Sequence, residues 1–303
     1  IKQSGATACR RLRRLSFPKS IFTVNRLSMT RAGCSADTHC HIHSSDYPLG
    51  PSEVLTSALD SGVSRIITMG CDPADSELAV RYALEYGQLE GLILRAGVGI
   101  YPHHAGDFRP GDIDRLQALI DTNRRVIAAV GEVGLDYCYD TVSPIKQLEA
   151  LEALIQLSLD NALPLSLHVR SGDYGDAFAD LWALLGNFSH GVSGVVHSFT
   201  DSQANLEQVL KHDLSIGVNG IVTFNRDPSL AEVYRTVPLD RVVLETDSPY
   251  LAPVPYRGKT NQPKYIRQIA ERLAEVRGVS LVQLVEVVAS NVERIFHLST
   301  TDA

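Results

Sequence analysis

Eight short runs of apolar residues, most of them rich in Val, Ile and Leu, recur along the chain. Segments between them show the three-to-four-residue apolar spacing of amphipathic helices, as in ADSELAVRYALEYG and SQANLEQVLKHD. Near-continuous apolar strands that alternate with helices predict a parallel sheet covered by helices. The predicted strands span residues 36–42, 65–70, 92–100, 125–133, 163–169, 194–199, 213–218 and 241–247.

Eight strand–helix units in about 270 residues match the usual size of a (β/α)8 barrel. We therefore predict an α/β fold of the TIM-barrel type, formed as a single domain by residues 33–303. A doubly wound open sheet is the structural alternative. The chain contains no GxGxxG or GxxxxGKS/T loop that would support a nucleotide-binding version of that alternative.

The composition fits a soluble globular protein, with 44% hydrophobic and 21% charged residues. The sequence has no uninterrupted apolar run near the roughly 18 residues of a membrane span, so we expect no membrane association. The five cysteines are odd in number and lack CxxC spacing, which indicates free thiols in a reducing compartment. We expect a cytoplasmic or nuclear protein.

Charge is distributed unevenly along the chain. Residues 1–32 hold eight basic and no acidic residues, so the remainder carries −15 against −7 for the whole chain. This basic extension is interpreted as a mitochondrial transit peptide, a disordered arm, or sequence upstream of a start at Met29. The acidic remainder argues against sequence-blind wrapping of duplex DNA, which needs many Lys and Arg contacts to phosphate.

Histidines and carboxylates stand at or near the predicted ends of five strands. Alternate residues of a strand face the same side, so the two histidines of the first strand are expected to project together. In a barrel, the carboxyl ends of all strands meet at one mouth, where active sites lie. The candidate ligands are His39, His41, Glu132, His168, His197 and Asp247.

Four imidazoles and two carboxylates suit Zn, Mn, Co or Fe better than Ca, which prefers oxygen ligands alone. Six ligands exceed the four that close a structural zinc site. Two divalent ions about 3.5–4 Å apart would use the set economically and could activate a water for hydrolysis. We predict Glu132 as the bridging ligand and Asp247 as a ligand that also orients the attacking water. Spacing alone leaves the number of ions open.

Eight sequence blocks between residues 36 and 298 resemble, in the same order, those of the TatD family of metal-dependent deoxyribonucleases, which are amidohydrolase-like barrels. The blocks are DTHCHIH, GIYPHHA, GEVGLDY, LHVRSGD, VHSFTDS, IGVNGIVTF, ETDSPYLAP and RGKTNQP. The resemblance implies a (β/α)8 barrel whose divalent-metal centre hydrolyses DNA phosphodiester bonds. By motif position it makes the six candidates the metal ligands and places His103 and Arg170 on substrate phosphate, a role suited to arginine's planar fork.

Three positions depart from the family pattern. His43 replaces an aspartate, Tyr101 replaces the first histidine of HPH, and Gln262 replaces the glutamate of NEP. His43 is expected to be a polar loop residue, with an added ligand as the alternative. Because the six main ligands are intact, these departures concern substrate preference more than metal binding.

The sequence therefore predicts a nuclease that uses two divalent ions, with Mg, Mn, Zn and Co as candidates. We expect exonuclease action on single-stranded DNA, in particular on its 3′ ends, with Glu132 and Asp247 as catalytic residues. RNA is a second candidate substrate, and no obligate protein partner is expected. One alternative is a hydrolase of an ester, lactone or amide, and another is an interaction protein that retains a structural metal site.

Overall fold

The computed structural model describes residues 35–188, 191–224 and 227–298, and these form eight parallel strands with helices between them. All eight predicted strands are present, so the predicted fold class is confirmed. The basic segment 1–32, with its transit-peptide interpretation, lies outside the described residues. The strands are β1 (Ser35–Cys40), β2 (Val63–Met69), β3 (Ile93–Val98), β4 (Ile127–Asp136), β5 (Leu165–Arg170), β6 (Gly194–Val196), β7 (Ser215–Val218) and β8 (Val242–Leu244).

The helices cover the outside of the sheet, and several begin with proline in the first turn. Proline suits that position because its fixed φ fits the helix and its missing N–H would have no partner there. The helices are α1 (Pro51–Asp60), α2 (Pro73–Tyr86), α3 (Pro110–Asn123), α4 (Pro144–Asp160), α5 (Ala177–Leu185), α6 (Gln203–Lys211), α7 (Ile221–Phe224), α8 (Pro228–Thr236), α9 (Ile266–Arg277) and α10 (Leu281–Phe296). Short 3₁₀ turns cover Pro102–Asp107, Arg124–Val126, Leu239–Arg241 and Pro263–Tyr265.

The strands pair in sequence order from β1 to β8, and the last returns to the first. Just beyond the strand ends, the N–H of Asp247 donates to the carbonyl of His39 at 2.8 Å, and the N–H of His41 donates to the carbonyl of Ser248 at 2.7 Å. Asp37 adds a side-chain link, because its carboxylate accepts from the N–H of Thr246 at 2.9 Å. This sequential order identifies a barrel and not a doubly wound sheet, whose strand order reverses at a switch point.

The interior is apolar along the strands, and buried residues from every strand join one core. Strand β4 is buried over its whole length, as expected for a parallel sheet covered on both faces. No helix of the described chain combines the length and apolarity needed to cross a bilayer.

Strand ends differ from the sequence prediction at three functional positions. Glu132 was expected to end its strand, but β4 continues to Asp136 because Gly134 to Asp136 pair with residues 168–170 of β5. His197 and Asp247, in contrast, lie just beyond the short strands β6 and β8. All three side chains nevertheless reach the carboxyl-terminal mouth of the barrel.

Candidate metal centre

Glu132 lies at the centre of the cluster, and one of its carboxylate oxygens faces the histidines of the first strand. Its Oε2 is 3.6 Å from Nε2 of His39 and 3.5 Å from Nε2 of His41. Oδ1 of Asp247 lies 3.5 Å from Nε2 of His41 and 4.0 Å from Nε2 of His39. The imidazoles of His39 and His41 and the carboxylate of Asp247 thus lie together with Oε2 of Glu132. We call these four residues the near half.

The other carboxylate oxygen of Glu132 faces a second pair of histidines. Its Oε1 is 3.1 Å from Nδ1 of His168 and 3.3 Å from Nε2 of His197. We call Glu132 and these two histidines the far half. All six predicted ligands therefore come together, and Glu132 is the residue that the two halves share.

Three of the histidines have a hydrogen-bond partner on the ring nitrogen that points away from the cluster. Nδ1 of His39 lies 2.9 Å from Oγ of Ser166, and Nδ1 of His41 lies 2.9 Å from the carbonyl of Met69. A carbonyl only accepts, so His41 carries a proton on Nδ1, and Nε2 is the nitrogen that faces the cluster.

On the far half, Nε2 of His168 lies 3.0 Å from Oδ2 of Asp136. Such outer partners fix the tautomer and orientation of metal-binding imidazoles in known sites.

Glu245 lies behind His197, with its Oε1 3.3 Å from Nδ1 of the imidazole. The same oxygen accepts from the N–H of Ser198 at 2.5 Å. Glu245 is fully buried, and with His39 and His197 it forms another group able to hold an ion. The geometry of the His197 contact falls short of a hydrogen bond, so Nδ1 of His197 has no hydrogen-bond partner among the described residues. Oε2, the other carboxylate oxygen of Glu245, also has none there.

The carboxylates of the cluster are ionised in spite of their burial. Burial alone would raise the pKa of Glu132, but hydrogen bonds from three histidines hold that pKa well below its usual range. The pKa of Asp247 is likewise lowered, because the nearby imidazoles outweigh its burial. A buried anion and a partly buried anion at the same mouth provide the negative charge that a cation site needs.

The imidazoles differ in protonation. Burial and the neighbouring His197 lower the pKa of His39, whereas the carboxylates of Glu245 and Glu132 outweigh burial and hold the pKa of His197 well above its usual range. The rings of these two histidines stack with their centroids 3.8 Å apart. Metal ions bind the neutral imidazole, so an ion would displace a proton from this pair.

The donor set fits divalent metal ions. Nε2 of His39 and Nε2 of His41 lie 3.3 Å apart and both point into the near half. Among the described residues, each half supplies three donor atoms within 4.8 Å of one another, in the groups His39–His41–Glu132 and Glu132–His168–His197. Mixed imidazole and carboxylate donors in two groups with a shared carboxylate match the ligand preferences of Zn, Mn and Co.

The two predicted phosphate contacts lie farther out, on the side of the far half. Nε2 of His103 is 3.5 Å from Oδ2 of Asp136, the carboxylate that also contacts His168. Arg170 is exposed, and its guanidinium carbon lies 5.4 Å from the ring centre of Tyr139. Both side chains border the cluster without joining it, and their contact with substrate stays a prediction.

His43 contacts residues outside the cluster. Its Nδ1 is 2.6 Å from Oγ1 of Thr68, and its Nε2 is 3.1 Å from Oδ1 of Asp75. Nδ1 thus has a hydrogen-bond partner, and Nε2 faces the carboxylate of Asp75, in a contact whose geometry falls short of a hydrogen bond. Contacts outside the cluster favour the expected polar role over that of an added ligand.

Tyr101 and the residues around Gln262 border the site. The ring centre of Tyr101 is 5.0 Å from that of His168 and 5.0 Å from that of His103. Burial and nearby carboxylates raise the pKa of Tyr101, so its hydroxyl stays neutral. Asn261, beside Gln262, donates through Nδ2 to the carbonyl of Thr246 at 2.7 Å and so holds the loop that carries Asp247.

Sequence reasoning missed Cys71, whose Sγ lies 3.9 Å from Oε2 of Glu132 and 3.8 Å from Nδ1 of His41. Burial raises the pKa of this thiol, so it is protonated at neutral pH. Its place just after β2, at the carboxyl end of a strand, was the available signal. Ser166 was also missed, because a lone serine inside a strand carries no such signal.

The fold and this cluster together match the class of barrel hydrolases, with groups at the mouth that could hold a metal ion. The model of the family described as TatD related DNase matches residues 36–297. The metal-dependent hydrolase YcfH of Escherichia coli K12, described as uncharacterised, is 34% identical over 269 residues, which cover 88% of this chain and 96% of YcfH.

The relative described as the 3'-5' ssDNA/RNA exonuclease TatD of Citrobacter rodentium is 28% identical, with 88% of this chain and 99% of that protein covered. The crystal structure of YjjV, a TatD homologue from Escherichia coli K12, superposes with a TM-score of 0.79 at 24% identity, covering 88% of this chain and 98% of that chain. The chain belongs to the TatD family of metal-dependent hydrolases.

Proposed function

We propose that this protein is a nuclease that hydrolyses phosphodiester bonds at the 3′ ends of single-stranded DNA, with RNA as a second substrate. The observation that carries the proposal is the central position of Glu132. Its two oxygens each face a separate pair of histidines, at 3.1–3.6 Å. This arrangement suits two divalent ions with Glu132 between them, which is the usual centre for displacement at phosphorus.

The six cluster residues would hold the ions: His39, His41 and Asp247 on the near half, His168 and His197 on the far half, and Glu132 between them. When bound, such ions lower the pKa of a coordinated water and neutralise charge on the phosphate. The ionised Asp247 would orient the attacking water and accept its proton. Its side chain is partly open to solvent, unlike the nearly buried Glu132, so a water can reach it.

Arg170 and His103 would contact the phosphate oxygens that do not react. Arginine meets such oxygens two at a time, and Arg170 stands free enough at the mouth to do so. Asp136 would hold both His103 and His168, because its Oδ2 lies within 3.5 Å of each. A single carboxylate would thus align a predicted ligand and a predicted phosphate contact.

The proposal of single-stranded DNA and RNA as substrates rests on a similar protein. The Citrobacter protein described as a 3'-5' ssDNA/RNA exonuclease supports both the substrate and the polarity proposed here. An acidic body with a local cluster of cation ligands also suits a strand end that enters one mouth, and it disfavours broad contact with duplex DNA.

The test uses protein stripped of metal and reloaded with Mg, Mn, Zn or Co, incubated with a 5′-labelled single-stranded oligonucleotide. We expect metal-dependent shortening from the 3′ end, and its loss in Glu132→Gln. Metal analysis of both proteins accompanies the assay, with about two ions per chain expected in the wild type. If ions bind but no oligonucleotide is cut, the nuclease proposal is wrong, and ester, lactone and amide substrates become the next candidates.

A further inference from the structure

Two exposed tyrosines border the cluster from different sides. Tyr139 lies on the loop after β4 and is 50% exposed, and Tyr250 lies on the loop after β8 and is 62% exposed. Loops that follow the carboxyl ends of strands form the mouth of a (β/α)8 barrel. Aromatic side chains beside a cationic group are the stacking surfaces on which proteins bind single-stranded nucleic acid.

Tyr139 lies on the side of the far half. Its ring centre is 5.6 Å from that of His103, with the planes nearly perpendicular at 86°. The guanidinium of Arg170 lies 5.4 Å from the same ring centre. A flat apolar face and a cation are therefore adjacent at the two residues predicted to contact phosphate.

Tyr250 lies on the side of the near half. Its ring centre is 6.4 Å from that of His41. Its backbone is held at both ends, because its N–H donates to the carbonyl of Asp247 at 2.8 Å and its carbonyl accepts from Nδ2 of Asn261 at 2.6 Å. An exposed ring on a fixed backbone presents its face to a ligand at little cost in conformational entropy.

His41 and His103 belong to different sides of Glu132, so the two tyrosines flank the place where a scissile phosphate would lie. In a single strand, the nucleotides on either side of that phosphate carry bases with accessible faces. Every base has such a face, and stacking on aromatic side chains is therefore tolerant of sequence. In a duplex the faces are covered by neighbouring base pairs.

We propose that Tyr139 and Tyr250 stack on the two nucleobases that flank the scissile phosphate, and that this contact selects unpaired strands. The inference rests on the proposed nuclease function and adds the groups that recognise the bases. Arg170 would bind the phosphate next to the base on Tyr139, since cation and ring are adjacent. Loss of one stacking contact is expected to weaken strand binding roughly 5- to 150-fold.

The test is a double-mutant cycle between each ring and each base. Tyr139→Leu, Tyr250→Leu and the matching Phe variants are assayed on single strands that carry either all bases or one abasic residue on a chosen side of the cleaved bond. We expect each Leu variant to raise KM within the 5- to 150-fold range on the complete strand. That variant should show no further loss when its own partner base is absent, and Tyr250→Phe should retain wild-type KM. Tyr139→Phe also removes the hydroxyl that accepts from Nη1 of Arg170 at 3.5 Å, so its retained stacking is judged by fluorescence quenching and not by KM.

Tyr174→Leu is the matched control, because Tyr174 is 48% exposed on the loop after β5 but, unlike Tyr139 and Tyr250, makes no ring contact with a histidine among the described residues. It is expected to leave KM unchanged. Binding is measured separately from cleavage with a strand that carries the fluorescent base 2-aminopurine, in the presence of Ca²⁺. Stacking on tyrosine is expected to quench this base in the wild type and in the Phe variants but not in the Leu variants.

The outcomes separate the two proposals. If oligonucleotides are cut and both Leu variants match the wild type in KM and quenching, the stacking proposal is overturned while the nuclease proposal stands. If the wild-type protein quenches the fluorescence of 2-aminopurine but cuts no strand, the nuclease proposal is wrong, whereas stacking of the base on tyrosine is supported. If strands are neither bound nor cut with any metal, both are wrong.

Discussion

Charged and polar side chains are buried at both ends of the barrel, and their surroundings differ. At the amino-terminal end, Arg65 is 1% exposed and donates from Nη1 to the carbonyls of Ala289 and Leu298, both at 3.2 Å. Asn291 donates to the carbonyls of Leu239 and Val242, both at 2.8 Å. These contacts tie α10 to the residues that begin β2 and β8.

At the carboxyl-terminal end, the buried groups face each other instead of backbone carbonyls. Glu132 and Asp247 meet four imidazoles, and two polar atoms behind them, His197 Nδ1 and Glu245 Oε2, are unpartnered among the described residues. The comparison teaches that the amino-terminal end joins its buried polar groups to the backbone, whereas the mouth sets carboxylates against imidazoles, an arrangement that suits a bound cation.

The largest expected effect is at the mouth. Glu132→Gln removes the negative charge that both halves share, and we expect kcat/KM to fall at least about 10³-fold, or roughly 4 kcal/mol. Metal content measured beside kinetics should fall as well. Glu286→Gln, which alters an exposed glutamate of α10, is the control and should match the wild type. Unchanged metal content in Glu132→Gln would contradict the proposed bridging position.

The next largest effect is expected at the amino-terminal end of the barrel and concerns only the free energy of unfolding. Arg65→Met removes the donor to two buried carbonyls, and we expect the free energy of unfolding to fall by about 2–4 kcal/mol. Urea unfolding measures this loss. Metal content and activity per folded molecule should remain at wild-type values. If Arg65→Met kept the wild-type free energy of unfolding but lost metal, the two ends of the barrel would not act independently.

A smaller effect is expected from the partner of His168. Asp136→Asn keeps the size of the side chain but loses the charge that orients His168 and His103, and we expect metal affinity or activity to fall about 10- to 100-fold. Titration of stripped protein with Zn²⁺ measures affinity directly. Loss confined to one of two binding steps would assign Asp136 to the far half. Equal loss in both steps would contradict that assignment.

The smallest effect concerns pH at the edge of the mouth. Burial opposes ionisation of Asp75, but His43 and the N–H of Cys71 outweigh it and lower the pKa of Asp75. A depressed pKa in the folded state stabilises the protein above the unfolded pKa near 4, and this contribution is lost as pH falls through the folded value. Asp75→Asn should therefore cost about 1 kcal/mol at pH 6.

That difference should begin to shrink as the pH falls below about 4, and it should reach zero only below the lowered pKa of folded Asp75, where the wild-type carboxyl is protonated too. Thermal unfolding of stripped wild type and variant at matched pH values measures it. A difference that stays constant down to pH 2 would mean that the charge of Asp75 is not what stabilises the fold.

The sequence by itself determined the fold class and the candidate ligands. Apolar strands separated by amphipathic helices leave few arrangements that bury both faces of a sheet, so eight repeats favour a barrel over a doubly wound sheet. A parallel barrel then brings all strand ends to one mouth. His39, His41, His168, His197 and Asp247 could therefore be grouped before any distance was known, and their role as ligands stays a prediction.

Only the tertiary structure decided how these residues face one another. The extent of β4 depends on its pairing with β5. The arrangement of the other strands around β4 sets which histidines face each carboxylate oxygen of Glu132. Cys71, Ser166 and the two mouth tyrosines are close to the cluster only because distant segments meet there. Periodicity along a chain records which side of an element is buried, but distances between side chains on different strands are set by register and closure of the sheet.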